Sequence, residues 1–123
     1  MRITTYIAIA ATLITIAITN APLSVQAEPI PQAELDYLES LNSLIEDSNQ
    51  YQHTLTDAEK VVDGVAVCEG LDAGWNIDEL NNQILKNRVV EGNPHNQDMT
   101  EYQAAVSVSS LYHLCPNHKK QLQ

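Results

Sequence analysis

The chain has 123 residues, with 16 acidic side chains against 6 lysine and arginine residues, so its formal charge at pH 7 is −10. This length has room for one small domain and not for a second. The negative charge repels phosphate backbones, and the sequence contains no basic stripe that would overcome the repulsion. Length and charge therefore argue against a multidomain protein and against nucleic acid as a partner.

Residues 1–27 are predicted to form a signal peptide. Arg2 supplies a positively charged n-region. The run from Ile7 to Thr19 contains only Ile, Ala, Leu and Thr, as in the apolar h-region of a signal peptide. This run is shorter than the roughly 20 residues that span a bilayer, so we expect no stable membrane span after cleavage. The small side chain of Ala27 favours cleavage between Ala27 and Glu28. The sequence thus predicts a secreted or periplasmic protein whose single domain covers residues 28–123, with a core of about 34–118.

Apolar residues of the mature chain recur at helical spacing, and no stretch shows the strict alternation of a half-buried strand. The pattern predicts an all-α domain, a small bundle of four helices. The first helix is predicted from about Pro31 to Asp47. Its apolar stripe would consist of Leu35, Leu38, Leu41, Leu44 and Ile45.

The second helix is predicted to begin after Thr56, because Glu59 lies three residues later and the pair forms a capping box. Gly74 can adopt the left-handed conformation that ends a helix. The predicted apolar face comprises Ala58, Val61, Val62, Val65 and Cys68.

The third helix is predicted to begin after Asn76, again with a glutamate, Glu79, three residues later. Trp75 and Leu80 stand at the two positions of a hydrophobic staple. Gly92 and the following Asn93-Pro94 predict the end of this helix.

The fourth helix is predicted to begin at Thr100, with Gln103 as its capping partner, and to end at Pro116. We expect polar loops over 48–55 and 93–99, and a frayed tail over 117–123. The predicted apolar face of this helix comprises Ala104, Val108, Leu111 and Cys115.

The only two cysteines, Cys68 and Cys115, both lie on apolar helix faces. Packing these faces together would bring the two sulfur atoms into the interior. Export delivers the chain to an oxidising compartment, where such a pair forms a structural disulfide. The sequence therefore predicts one disulfide, between Cys68 and Cys115.

Two groups of side chains have the composition of a chemical site. His113, Cys115 and His118 are typical metal ligands, but their spacing fits no standard zinc motif, and an oxidised Cys115 has no thiolate to offer. Ser110 precedes His113 by about one helical turn, yet the strained turn that presents a reactive serine is absent. We expect no catalytic residue, no cofactor and no metal site.

Three segments resemble the family known as domain of unknown function 732: Ala66 to Gly74, Thr100 to Ala105, and Cys115-Pro116-Asn117-His118. The resemblance covers roughly Asp36 to Gln121 and implies a small exported bacterial helical protein with two bridged cysteines. It implies no activity. The chain departs from the family pattern at Leu114, where many members carry an aromatic residue, and in a longer connection over Val89 to Met99.

The leading functional hypothesis is a non-enzymatic exported helical module that binds a protein or a cell-envelope component. An alternative is an acid-responsive periplasmic chaperone-like protein, since protonation of many carboxylates at low pH would loosen the packing. A second alternative is a small hydrolase that would use Ser110 and His113.

Overall fold

The structure, a computed structural model, describes residues 30–122. In this range the chain is helical and contains no strand, which confirms the all-α prediction for the described residues. The predicted signal peptide and its cleavage site between Ala27 and Glu28 lie outside them. The α-helices are α1 (Gln32–Leu44), α2 (Asp57–Asp72), α3 (Ile77–Arg88) and α4 (Asn96–His113), and two 3-10 segments cover Gln52–Thr54 and Pro116–Leu122.

Helix α4 lies at the centre of the domain. It contacts α1, α2, α3 and both 3-10 segments, so it is buried on several sides rather than on one face. Its buried positions include small polar residues that allow close helix approach: Ser109 Oγ lies 3.0 Å from Ser40 Oγ of α1. The buried residues of α4 are Met99, Tyr102, Gln103, Ala105, Val106, Ser107, Ser109, Ser110 and Leu111.

The predicted start of the fourth helix at Thr100 is wrong, because the helix begins four residues earlier at Asn96. The Thr100 hydroxyl donates back to the Asn96 carbonyl, a bond available within a helix. Gln103 does not cap the helix; its side chain is buried and donates to Asn81 Oδ1 on α3. Of the predicted apolar face, Leu111 and Cys115 are buried, whereas Ala104 is exposed.

Helix α1 presents a different face to the core than its leucine pattern predicts. Leu38, Leu41 and Ile45 are buried as expected, but Leu35 and Leu44 are exposed. Tyr37 is fully buried on this helix instead. Its hydroxyl donates to the Lys60 carbonyl of α2 over 2.6 Å. Its ring lies against Gly64, where a Cβ atom would come within 2.6 Å of Tyr37 Cζ. A large polar-tipped side chain and a glycine thus set the packing of α1 on α2.

The predicted signals at both ends of α2 and at the start of α3 are confirmed. Thr56 and Glu59 form the capping box of α2, and Gly74 has a φ of 105° just beyond its end. The Asn76 side chain accepts from the Glu79 N–H at the start of α3. Helix α3 ends at Arg88, before the predicted Gly92, which has a φ of 83° in the following turn. The Leu80 side chain is buried, whereas Trp75 is exposed.

The tail is ordered against the domain, so the prediction of fraying over 117–122 is wrong. Gln121 Oε1 accepts from the Ile77 N–H, one of the groups at the start of α3 that no helical carbonyl can satisfy. His118 Nε2 lies 2.8 Å from Asp72 Oδ1 at the end of α2. These contacts hold the second 3-10 segment on α2 and α3.

Cys68 and Cys115 lie at disulfide distance, as the sequence predicts. Their sulfur atoms are 2.10 Å apart and their Cα atoms 5.8 Å apart, and each residue is 1 % exposed. The pair joins the second half of α2 to the residue that follows the last turn of α4. A covalent bond here would fix the end of the central helix to its neighbour.

Reduction of the Cys68–Cys115 disulfide should lower the free energy of unfolding by about 4 kcal/mol, because the bond closes a loop with a sequence separation of 47. The measurement is thermal unfolding of the mature protein with and without reductant. Intact mass after alkylation of the native protein provides the control. Uptake of two alkyl groups without reductant would contradict the bond.

Candidate functional site

A cleft of about 580 Å³ opens beside the start of α2. We call it the α2–α4 cleft; it is bounded by the first 3-10 segment, the first turns of α2, the end of α3 and the start of α4. Its volume lies in the range of protein sites that hold small molecules or side chains. The lining residues are Tyr51, Leu55, Ala58, Glu59, Val62, Asp63, Arg88 and Met99.

Two residues of one helix and two residues of neighbouring segments form the apolar wall of the cleft. Ala58 and Val62 are four residues apart on α2 and therefore share a face, which places them beside Leu55 and Met99 in the lining. Val62 is 45 % exposed, although it belongs to a helix whose neighbouring Val61 is buried. This wall leaves apolar surface accessible to solvent inside a concave site.

Asp63 provides the polar part of the cleft and connects three helices. Its Oδ2 accepts from the Tyr102 hydroxyl of α4 over 2.7 Å, and its Oδ1 accepts from Arg88 Nη2 at the end of α3 over 3.1 Å. Both are charge-assisted hydrogen bonds, which are stronger than those between neutral groups. The side chains of Arg88 and Asp63 are 32 % and 17 % exposed, so water screens the ion pair only in part.

Two buried tyrosines lie around this carboxylate. Burial raises the pKa of Tyr102 far above its usual range, and the hydrogen bond to Asp63 raises this pKa further. Burial also raises the pKa of Tyr37, with the negative charge of Asp63 as a smaller cause. Both side chains are fully buried. Both phenols are therefore neutral near pH 7, and Tyr102 remains a hydrogen-bond donor to Asp63.

The segment before α2 forms the other side of the cleft. The Tyr51 ring packs edge-to-face on Tyr102, with ring centroids 5.2 Å apart. Asn49 and Gln52 are buried, and their amides donate to the backbone carbonyls of Asp98 and Glu46. The prediction of a polar loop over 48–55 missed this ordered segment, because the Asp98 carbonyl that accepts from Asn49 lies 49 residues away in the sequence.

Ser110, the serine of the hydrolase alternative, uses its hydroxyl inside the helix interface. The Ser110 side chain is fully buried between α4 and α2, and its hydroxyl donates to the Val106 carbonyl over 2.6 Å. The hydroxyl also lies 3.3 Å from the Gly64 carbonyl. This serine satisfies its hydrogen bonds within the helix interface and is closed to a substrate.

Cys115 and His118, two of the three side chains considered as metal ligands, each have another partner. The Cys115 sulfur lies at bonding distance from Cys68, and His118 contacts Asp72. Among residues 30–122, no group of three or more His, Cys, Asp or Glu side chains could hold a metal ion. None of the helices in the same range is long and apolar enough to cross a membrane.

A smaller groove of about 350 Å³ separates the end of α1 from α4. It contains the exposed Leu44 and two carboxylates, Glu46 and Glu101, but no polar network joins helices inside it as Asp63 does in the α2–α4 cleft. Its lining residues are Leu44, Ile45, Glu46, Glu101, Ala104, Ala105 and Val108.

Comparisons with known proteins identify no relative of this chain. No family model matches it, and no curated protein or solved structure does so either. The resemblance to the domain of unknown function 732 family therefore stays a prediction from the sequence motifs.

Stability should fall as pH rises above 10, the ordinary pKa of a tyrosine. Above this pH the unfolded chain releases the protons of Tyr37 and Tyr102, whereas the folded state retains them. Since the unfolded state then binds fewer protons, each tyrosine lowers the free energy of unfolding by up to about 1.4 kcal/mol per pH unit.

Denaturant titrations at successive alkaline pH values measure this dependence. Tyr37→Phe should reduce the slope, whereas Tyr112→Phe is the matched control, because Tyr112 is exposed. Equal slopes for the two variants would contradict the assignment.

Proposed function

We propose that this protein is an exported, non-catalytic module of four helices that binds another protein or a cell-envelope component through the α2–α4 cleft. The observation that carries the proposal is the accessible apolar wall around Val62 beside the fixed Asp63–Arg88 pair. Apolar surface supplies binding free energy, while charged groups at fixed positions orient the bound partner.

The geometry of the cleft favours binding without rearrangement. Asp63 accepts bonds from α3 and α4, and Tyr51 packs on Tyr102, so side chains on several elements hold the walls in place. A site that is ordered before the ligand arrives loses less conformational entropy on binding.

The use of the polar side chains favours binding over catalysis. Glu59 Oε1 accepts from the N–H and hydroxyl of Thr56, and both oxygens of Asp63 accept from neighbouring side chains. A general base needs an oxygen that can reach the proton it removes. In this cleft Glu59 caps α2, and Asp63 joins α2 to α3 and α4.

Export is part of the proposal. Residues Met1 to Ala27 would direct secretion and be removed, so that the mature chain begins at Glu28. The buried cysteine pair supports this location, because structural disulfides persist in oxidising compartments. The mass of the protein recovered from the periplasm or the medium should correspond to a chain that begins at Glu28. A mass that includes residues 1–27 would contradict cleavage.

Val62→Ser should reduce retention of the partner on immobilised mature protein by a factor of about ten. This factor corresponds to about 1.4 kcal/mol, close to the value of about 1.5 kcal/mol at the lower end of the range for full burial of a valine side chain. Leu35→Ser is the matched control: Leu35 is 43 % exposed on α1 and lies outside the cleft lining, whereas Val62 is 45 % exposed within it. Quantitative mass spectrometry of envelope components retained by the three proteins gives the result.

Partner retention that is equal in Val62→Ser and in the unchanged protein would contradict binding through the cleft. Loss of retention in Leu35→Ser alone would place the partner on a different face. Thermal unfolding of both variants checks that neither substitution acts through the fold.

A further inference from the structure

The charges around the α2–α4 cleft identify the kind of partner that it suits. We propose that the cleft binds a peptide segment of a partner protein in which a lysine or arginine lies among large apolar side chains. This inference rests on the proposed binding function and adds the chemistry of the ligand.

The charged side chains of the cleft are two carboxylates and one guanidinium, Glu59, Asp63 and Arg88. Arg88 and Asp63 form an ion pair, so Glu59 contributes the excess negative charge. Glu59 is exposed, and among residues 30–122 its Oε1 accepts from Thr56 alone, which carries no charge. A cationic group in the cleft would therefore compensate a charge that no cationic side chain among residues 30–122 neutralises.

The net charge of the whole chain also favours a cationic ligand. The whole chain carries a formal charge of −10, and a surface potential of this sign raises the local concentration of cations. An anionic ligand could reach the Arg88 guanidinium, but it would then lie beside the Asp63 carboxylate and near Glu59. Like charges at that distance oppose binding.

Tyr51 adds a second feature that suits a cation. Its ring belongs to the lining of the cleft, and an ammonium or guanidinium group within about 6 Å of an aromatic face is attracted by the ring electrons. The ring of Tyr51 precedes α2 in the chain, and the carboxylate of Glu59 lies in the first turn of that helix. Both favour a positive charge in the cleft.

The apolar wall excludes a purely ionic ligand. Val62 and the half-buried Leu55 offer surface that apolar groups cover favourably, whereas Met99 lines the cleft but is only 7 % exposed. A ligand that matches both parts of the cleft carries a positive charge and large apolar groups together.

The exposure of the wall favours a peptide over a small amphiphile. Drug-sized molecules are commonly 70–90 % enclosed by their sites. Val62 remains 45 % exposed and Glu59 is exposed at the rim, so the cleft is a surface groove. A groove of this kind suits a peptide whose successive side chains enter it while its backbone stays at the surface.

The test uses three short synthetic peptides with the same leucine content, in which the polar positions are all lysine, all glutamine or all glutamate. Fluorescence anisotropy of labelled peptides measures their affinity for the folded mature protein. The lysine peptide should bind about tenfold more tightly than the glutamine peptide, and the glutamate peptide should bind most weakly. Added salt should reduce the difference, because the excess affinity is electrostatic.

Glu59→Gln should weaken binding of the lysine peptide about three- to fivefold and leave the glutamine peptide unchanged, in line with the size of exposed charge pairs. Glutamine can still accept from Thr56 and preserve the capping box. Glu39→Gln is the matched control, since it removes the same charge from an exposed position on α1 outside the cleft lining. Val62→Ser should weaken the lysine and glutamine peptides alike.

Equal affinity for the lysine and glutamine peptides, or a preference for glutamate, would overturn the basic-segment inference. Equal effects of Glu59→Gln and Glu39→Gln would overturn it as well. Tighter binding of a long-chain alkylammonium ion that competes with the lysine peptide would assign the cleft to a small amphiphile instead.

Partner retention by the Val62→Ser and Leu35→Ser variants tests the binding function separately from the peptide preference. If no peptide binds but Val62→Ser still reduces partner retention relative to Leu35→Ser, the basic-segment inference fails while the cleft remains the binding site. If no peptide binds and retention is unchanged in Val62→Ser, both proposals fail.

Discussion

The hydrogen bonds to Asp63 are the interactions on which the cleft depends. This single carboxylate on α2 accepts from Tyr102 on α4 and from Arg88 at the end of α3, so it determines how the three helices meet. Removing the carboxylate would leave a buried tyrosine hydroxyl without its acceptor, and a partly buried guanidinium without its counter-charge. The loss of both partners would lower the free energy of unfolding by more than an exposed ion pair contributes to it.

Contacts in the middle and second half of α2 also hold this helix against α1 and α4. Gly64 follows Asp63 and allows the Tyr37 ring of α1 to lie on the helix backbone, while Cys68 meets Cys115 one turn later. Helix α4 therefore has fixed neighbours along its length. A central helix held in this way leaves little freedom to the cleft residues, which agrees with a binding surface that is ordered before its partner arrives.

The sequence predicts features whose causes are local and misses those whose causes are distant. The caps at Thr56 and Asn76 and the turn at Gly74 each depend on residues within a few positions, and all are confirmed. Thr100 carries the same capping pattern, but the helix begins four residues before it, at Asn96. The α2–α4 cleft could not be predicted, because Asp63, Arg88 and Tyr102 come from three helices and none belongs to a recognisable motif.

The central claim is that the α2–α4 cleft is the surface that recognises a partner. Nuclear magnetic resonance tests it most directly, through the backbone amide signals of isotope-labelled mature protein titrated with the lysine peptide. The largest shifts should occur around Leu55, Val62 and Met99, with little change at Leu35. Shifts centred on Leu44 and Ala104, in the groove between α1 and α4, would contradict the claim.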